Sequence, residues 1–286
     1  LRACRQLRIP FDSLNLYPQS HSRVSFADKD VRFNNDFEYF LSQVEENFPQ
    51  EKDRLQHFLK KMEAFDAYSV NVSDLSTRSI LKEAFSNPLL GEMLLCPTCY
   101  YGSAQQNDID FATFVMLFDA IFKQGLARPN NGIRAFLDPL VEKLKQLGVK
   151  RLMNNEVKKI NSKNDKATEI VMGNGEVFSA DQIISTCGVV ETEELLNLKD
   201  SIKTGTEEGK FSIIETISVF EGKPQDYGWD ETVIFFNENE HFRYEQPEGS
   251  IDLASGVICL PENYQDPANN SLDEARLRIT NPANFM

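Results

Sequence analysis

Apolar residues recur at helical spacing through most of the first half of the chain. Between Phe37 and Phe48 they fall on one side of a helix, and the residues from Asn34 to Asp36 offer a capping side chain. The same spacing continues downstream, interrupted by prolines that suit the first turn of a helix. We therefore predict further helices over 50–66, 76–85, 88–95 and, starting at 108 or 110, up to 124.

The helix that ends at 124 is apolar on more than one side, which is typical of a buried helix. Its Phe111, Phe114 and Phe118 either form part of the protein core or line a cavity for an apolar ligand. In the second case Tyr100 and Tyr101, just upstream, would line the same cavity. The sequence leaves both interpretations open.

Alternation of apolar and polar residues predicts strands elsewhere. Val24 and Phe26, followed by Val31 and Phe33, flank a turn at 27–30 and predict a hairpin. Later segments with strand-like patterns predict strands over 149–154, 156–163, 166–172, 211–222, 231–238, 242–244 and 255–263.

Two further segments lie between the halves of the chain. An amphipathic pattern over 133–147 predicts a helix that ends at Gly148, and Pro139 predicts a kink or restart near Asp138. The β-branched segment 182–186 predicts a strand that is buried on both faces. It stops at small residues, where a ligand could approach the backbone closely.

Composition narrows the choice of partner. The formal charge of -14 argues against nucleic acid, because phosphate binding depends on Lys and Arg, and equally against a membrane surface rich in anionic lipid. No run of about 18 apolar residues predicts a membrane-spanning helix. The 21 Phe residues suit either a large core or an apolar cavity, so an apolar partner stays compatible with the sequence.

The cysteines and motifs identify no reaction. Five Cys without a regular framework indicate a reducing compartment, either the cytoplasm or an organelle interior. We interpret the lone CxxC of Cys96 and Cys99 as two buried structural thiols, with a redox or metal role as the alternative. The sequence has no GxGxxG dinucleotide fingerprint and no HExxH, and no motif nominates a catalytic acid, base, nucleophile or metal ligand.

One stretch carries the features of a known group of proteins. It begins at Pro129 with PNNG, continues through LKQLGVK and NNEVKKI, and ends in GNGEVFSADQIISTCG, and the upstream FSNPLLGEMLL and TCYYG fit the same pattern. Here the chain resembles the flavoprotein superfamily of phytoene desaturases, carotenoid isomerases, amine oxidases and protoporphyrinogen oxidase. It is most similar to the phytoene desaturase and carotenoid isomerase branch, over about residues 30–195. Asn130-Asn131 departs from that branch, which usually has small residues and Gly there.

The resemblance implies noncovalent binding of FAD. The strand at Val157 and Lys158 would meet the adenine end of FAD through its backbone. The turn of Thr186, Cys187 and Gly188 would lie near the adenosine or the pyrophosphate. No catalytic residue and no metal site follow from the resemblance.

The resemblance also implies a fold and its divisions. We expect a mixed α/β fold, a fragment of a two-domain FAD-binding flavoprotein with a helical substrate region plus a sheet. Residues 1–128 would be the helical substrate-domain region, 129–195 part of the FAD-binding domain, and 196–286 an antiparallel substrate-domain sheet with loops, one marked by Asn281-Pro282. Because nothing here matches the family's glycine-rich phosphate loop, we expect a piece of a longer enzyme that binds FAD weakly and is inactive alone.

The expected function is that of an FAD-dependent desaturase or isomerase acting on a long apolar substrate, such as a carotenoid precursor. A peripheral contact with a membrane would give access to that substrate. Two alternatives remain. One is a non-enzymatic relative that binds a prenylated protein or apolar ligand, as Rab GDP-dissociation inhibitors do with this fold, and the other is an amine-oxidase-type flavoenzyme with a polar substrate.

Overall fold

The computed structural model describes residues 2–69, 75–130, 132–197, 211–271 and 273–284. Within these residues the α-helices are α1 (Arg2–Leu7), α2 (Phe37–Asn47), α3 (Lys52–Glu63), α4 (Thr77–Ala84), α5 (Pro88–Gly102), α6 (Phe111–Phe118), α7 (Arg134–Gln146) and α8 (Val189–Leu195). The strands are β1 (Leu16–Pro18), β2 (Ser22–Phe26), β3 (Lys29–Phe33), β4 (Ala127–Pro129), β5 (Val157–Lys163), β6 (Lys166–Met172), β7 (Val177–Ser179), β8 (Ser212–Glu221), β9 (Val233–Asn237), β10 (Ser255–Cys259) and β11 (Glu274–Ala283). None of the described helices is both long enough and apolar enough to cross a membrane.

The largest described sheet is mixed and six-stranded, in the order β3-β2-β9-β10-β11-β8. The hairpin of β2 and β3 joins it through a parallel pairing of β2 with β9, and the remaining pairings are antiparallel. Strands β1 and β4 form a separate ribbon, and β5, β6 and β7 form a three-stranded sheet. The predicted mixture of a helical region and a sheet is confirmed, as is the hairpin around residues 27–30.

The chain divides into two compact units. The first comprises Leu1–Pro139 with Lys210–Met286 and holds the six-stranded sheet, the ribbon and α1 to α6. The second, Leu140–Gly209, holds the three-stranded sheet and α8. Helix α7 spans the boundary between them.

The core of the first unit is largely aromatic. Phe33 of the sheet meets Phe122 with ring centroids 5.1 Å apart, and Phe40 of α2 meets the same ring at 4.7 Å. Phe122 lies in a π-helical turn, Asp119–Lys123, that directly continues α6. Burial of apolar surface lets each such ring stabilise the fold by about 2–3 kcal/mol. Packing in the core is therefore a sufficient reason for the many phenylalanines in these helices.

Side-chain oxygens define where the helices begin. Asp36, Asn87 and Asp110 each accept a hydrogen bond from a backbone N–H in the first turn of α2, α5 and α6, which confirms the predicted start at Asp36. Glu51 is fully buried just before α3, and its carboxylate accepts the backbone N–H groups of Ser86 and Asn87 at 3.1 and 2.8 Å. A single carboxylate thereby ties the start of α3 to the start of α5.

Helix α5 is longer than predicted, because it continues through Pro97 to Gly102. It is buried on nearly all sides, so packing outweighs the hydrogen bond that proline removes. Cys96 and Cys99 are both fully buried in it, and burial raises the pKa of each thiol. Their interpretation as buried thiols is confirmed.

The second unit contains the predicted hairpin. Strands β5 and β6 pair across a turn in which Asn164 and Asp165 take left-handed backbone angles of φ 51 and φ 59. Of the kink or restart predicted near Asp138, the restart does not occur, because α7 runs from Arg134 through Pro139 to Gln146. A proline at this place removes the hydrogen bond to the carbonyl of Ala135 and crowds that carbonyl, so the kink stays a prediction.

Four segments differ from their predicted structure. Residues 149–154 and 242–244 form no strand, and β11 occupies the region where Asn281-Pro282 indicates a loop. Residues 182–186 form no strand in the described chain, and Ile184 is 86% exposed rather than buried. Strand propensity depends on packing against neighbouring strands, so a β-branched segment without a partner forms no ladder.

Candidate functional site

In the described part of the chain, helices α2 and α5 pack on β3 and β2, at one end of the six-stranded sheet. Residues paired in register share a face of a sheet, and Val233, Cys259, Arg278 and Ile217 make one such row across β9, β10, β11 and β8. Val233 is 1% exposed beneath the helices, whereas Ile217 at the other end of the row is 62% exposed. The face that is core at β9 therefore becomes an accessible surface at β11 and β8.

Polar and aromatic side chains gather where this change occurs. Tyr101 comes from the end of α5, Arg128 from β4, Cys259 from β10, Tyr264 from the turn after β10, and Arg278 from β11. We call these five residues the tyrosine–arginine cluster. They come from distant parts of the sequence, so it is the sheet topology that brings them together.

The positive charges of Arg128 and Arg278 influence the pKa values of the other members of the cluster. Burial raises the pKa of Cys259, against the lowering effect of Arg278 and then Arg128. Burial likewise raises the pKa of Tyr264, and both arginines oppose that shift. Tyr101 follows the same rule, since burial raises its pKa while Arg278 lowers it. The thiol and both phenols therefore stay protonated at neutral pH, which suits hydrogen-bond donation and excludes Cys259 as a ready nucleophile.

A cavity of about 400 Å³ adjoins the cluster. Arg128 and Tyr264 line it, together with Glu262 and Arg276. Glu262 and Arg276 form an ion pair at 3.4 Å. The size suits a small organic molecule or part of a larger one.

The predicted cavity residues separate into three places. Tyr101 belongs to the cluster, and its ring is half-exposed. The Tyr100 hydroxyl instead forms a partly buried hydrogen bond with Ser255 Oγ at 2.9 Å, and the Tyr100 ring packs on Phe242. Three phenylalanines of α6 lie in the core, packed ring against ring: Phe111, Phe114 and Phe118.

Phe118 also lines a smaller groove. This groove of about 220 Å³ lies between α3 and α6 and includes Met62, Phe65 and Val115. The assignment of the α6 phenylalanines to a substrate cavity stays a prediction. In the described chain they act as core side chains.

The predicted cofactor residues all lie in the second unit. Val157 and Lys158 begin β5, which is one of the two outer strands of the three-stranded sheet, and the β5–β6 register shifts between Val157 and Lys159. A shift of this kind leaves Lys158 without a paired residue on β6 and changes the direction of its side chain. The Lys158 side chain is exposed and pairs with Glu156 at 2.7 Å.

Thr186, Cys187 and Gly188 form an exposed turn that leads into α8. Gly188 has φ 114, an angle that side chains with a Cβ rarely adopt. Hydrogen bonds with the hydroxyls of Ser185 and Thr192 lower the pKa of the Cys187 thiol. Helix α8 packs against β5, so both predicted segments belong to one small structure.

Sequence reasoning found Tyr101 but missed the other four members of the cluster. Arg276, Arg278 and Thr280 alternate with apolar residues in β11, which is the pattern of a strand with one polar face. That signal could have placed Arg278 on a sheet. No local signal places Arg128 or Tyr264 beside it.

Among the described residues, no group of His, Cys, Asp and Glu side chains is arranged to hold a metal ion. The family model of flavin-containing amine oxidoreductases matches residues 11–218. No curated protein matches the chain.

Solved structures share the fold. One is an oxidoreductase from Methanosarcina mazei, with a TM-score of 0.62 and 16% identity over 93% of this chain and 61% of that one. Another is a protein from Pyrococcus furiosus, with a TM-score of 0.56 and 14% identity over 95% of this chain and 61% of that one. At such identities the similarity shows the fold alone. This chain spans 61% of the length of either structure.

Proposed function

The chain belongs to the family of flavin-containing amine oxidoreductases, and from this premise we propose that it works in an FAD-dependent oxidoreductase. The family match carries the proposal, because it runs from the start of the first unit through the whole second unit into β8. The family implies FAD as cofactor. The tyrosine–arginine cluster is the part of the chain that we assign to the substrate.

The second unit offers groups that fit the adenosine part of FAD. Strand β5, which begins with Val157 and Lys158, is at one edge of the three-stranded sheet, so some of its backbone donors and acceptors lie outside that sheet's ladder, and adenine is a planar ring with both kinds of group on its edge. The turn of Thr186, Cys187 and Gly188 is exposed and small, so a phosphate or ribose can approach its backbone. These five residues would hold FAD.

The flavin would supply the redox chemistry, and the protein would supply binding, orientation and electrostatics. In this chain the buried end of the six-stranded sheet, at β3, β2 and β9, would form the rigid support. The more exposed end, at β11 and β8, would form the surface that contacts the substrate. Tyr264 and Tyr101 can donate hydrogen bonds to a bound molecule, since their phenols remain protonated. Arg128 and Arg278 add positive charge beside them.

Two substrate types fit different parts of this surface. Ile213, Ile217 and Val219 are exposed apolar residues on one face of β8, with Glu215 between the first two. They favour a desaturase or isomerase with a long apolar substrate. The tyrosine–arginine cluster favours an amine-oxidase-type enzyme with polar groups on its substrate. We propose the FAD-dependent oxidoreductase as the function and the long apolar substrate as the second, finer candidate.

Titration of FAD with the purified protein tests the cofactor part of the proposal. Quenching of flavin fluorescence should saturate, FAD should bind more tightly than riboflavin because only FAD carries the adenosine, and bound FAD should protect Cys187 from alkylation. Gly188→Ala should weaken FAD binding. Gly175→Ala is the matched control, since Gly175 also has positive φ (85) in the second unit but lies in the β6–β7 turn.

Anaerobic mixing with candidate substrates then tests the reaction. Bleaching of the flavin absorption by an amine or by a polyene would assign the substrate class. Because we expect this chain alone to bind FAD weakly, the result that would overturn the oxidoreductase proposal is a full-length protein that takes up no FAD. That result would favour a binding role, such as that of a prenyl-protein carrier. Equal FAD binding by the Gly188→Ala and Gly175→Ala variants would overturn the assigned site.

A further inference from the structure

The outer edge of β8 is long and regular. Strand β8 (Ser212–Glu221) comes last in the order of the six-stranded sheet, and its residues pair with β11 on one side without a register shift. Among the described residues, no strand pairs with its other side. Ile213, Ile217 and Val219 of this strand are 49%, 62% and 60% exposed. A long edge with exposed apolar side chains is a place where a further strand readily adds to a sheet.

Strand β8 also lacks the features that protect other sheet edges. It contains no Lys and no Pro, and no bulge interrupts its pairing with β11. The opposite edge of the same sheet, β3, is half as long, carries Lys29 and Arg32, and packs against α2. In the three-stranded sheet, β7 is very short and register shifts interrupt the pairing of β5. Of the sheet edges in the described chain, β8 is therefore the best suited to accept a strand.

The charges of β8 restrict how it can pair with a second, antiparallel copy of itself. Registers centred on Glu215 or on Ser218 would set one glutamate directly opposite another, which is destabilising. A register centred on Ile217 sets both glutamates of the strand opposite apolar residues, with Glu215 facing Val219. Arg278 of the same copy pairs with Glu215 at 3.6 Å, so the charge of this carboxylate is already partly balanced.

The register centred on Ile217 also matches the side chains on both faces of the strand. Ile217 meets its own counterpart at the two-fold axis. On the other face Ile214 meets Phe220, and Thr216 meets Ser218. Pairs of a β-branched with an aromatic residue, and of Thr with Ser, stabilise an antiparallel ladder. A register centred on Thr216 would set Ile214 opposite Ser218 and lose both kinds of pair.

We propose that the protein forms a two-fold symmetric dimer in which the outer edges of two β8 strands pair antiparallel about Ile217. The pairing joins the two six-stranded sheets into one continuous sheet. Because the remaining edge of each copy, β3, is short and charged, the assembly closes after two copies and does not grow into a filament. This inference goes beyond the proposed function and does not depend on FAD.

Sedimentation velocity over a range of protein concentrations tests the dimer. The mass should rise from 32.6 kDa to twice that value as the concentration increases. Ile217→Lys should raise the dissociation constant by about tenfold or more, because it removes an apolar pair and sets two like charges opposite each other. Val177→Lys is the matched control. Val177 is 53% exposed on β7, an outer strand of the three-stranded sheet, and the substitution adds the same charge.

A disulfide cross-link tests the register. The Cys187→Ser background removes the exposed thiol, and in it Ile217→Cys should form an intermolecular disulfide under mild oxidation. Facing residues of an antiparallel pair lie close enough for this bond. Ile213→Cys is the control on the same face of the same strand. In the proposed register its two copies lie about 27 Å apart along the ladder and should form no disulfide.

Several outcomes would contradict the inference. A protein that stays monomeric at every concentration would overturn it, and so would an open-ended series of larger species. Equal cross-linking of Ile217→Cys and Ile213→Cys would overturn the register, since only random collision or another pairing gives that result. Equal dimerisation of Ile217→Lys and Val177→Lys would show that the interface lies elsewhere. If Ile217→Lys fails to fold by circular dichroism, the two cysteine variants carry the test.

Discussion

Replacement of Arg78 by methionine tests how the loop after β9 is held. Arg78 donates to both carboxylate oxygens of Glu92, at 2.5 and 2.6 Å, and to the carbonyls of Asn107 and Phe242, at 2.6 and 2.9 Å. Glu92 in turn accepts the backbone N–H of Phe242 at 3.1 Å. This network ties a loop without regular structure to α4 and α5, and methionine keeps much of the aliphatic volume while removing every donor.

The expected loss of stability depends on how deeply the Arg78–Glu92 ion pair is buried. Removal of one partner from a buried ion pair typically costs about 3–5 kcal/mol, because the other charge is left unpaired. The side chains of Arg78 and Glu92 are 23% and 14% exposed, so water screens part of that cost and we expect a loss of about 2–3 kcal/mol. For a chain of this size, 1 kcal/mol lowers the Tm by about 2 °C, which gives a fall of about 4–6 °C.

Thermal unfolding followed by circular dichroism measures this fall, and Lys52→Met is the control. Lys52 pairs with Glu45 at 2.6 Å, a distance like that in the Arg78 pair, but the two side chains are 48% and 51% exposed. The control should therefore lose less than about 1 kcal/mol. Equal losses in the two variants would refute the reasoning, since distance alone would then set the energy.

Three further predictions address other contacts. Glu51→Gln should cost about 1–3 kcal/mol in urea unfolding, because the buried carboxylate accepts two backbone N–H groups and an amide offers one oxygen in its place. Cys187 should react with iodoacetamide faster than Cys96, since exposure and a lowered pKa give it more thiolate at neutral pH, and mass spectrometry of timed samples would show the order. Tyr100→Phe should cost about 1 kcal/mol in thermal unfolding by leaving Ser255 without its partner, and an unchanged Tm would contradict that expectation.

Local patterns predicted the helices better than the sheet. The spacing of apolar residues and the capping side chains are short-range signals, so α2 and the β2–β3 hairpin followed from the sequence. The parallel pairing of β2 with β9 joins residues about two hundred positions apart, and no local pattern encodes it. The Asn281-Pro282 pair was misread as a loop because its turn propensity was weighed without the ten-residue pairing of β11 with β8.

The candidate site was only partly predictable for the same reason. Tyr101 was found because it stands beside an aromatic helix in the sequence. Arg128, Cys259 and Arg278 become neighbours only when β10 and β11 pair and the β1–β4 ribbon places Arg128 near their ends. Recognition of a site built from side chains on distant strands requires the topology first.

The position of the cluster follows from how the sheet is covered. Beneath the helices, Phe33 and Phe235 fill the face with apolar rings, and any polar group there would need a partner. Toward β11 the same face loses its cover, so Arg278 can hold its charge in contact with water and with Glu215 at 3.6 Å. Cys259 stands at the transition, partly buried and adjacent to both environments. A bound molecule placed there would meet a rigid apolar wall on one side and fixed charges on the other, and this combination gives orientation as well as affinity.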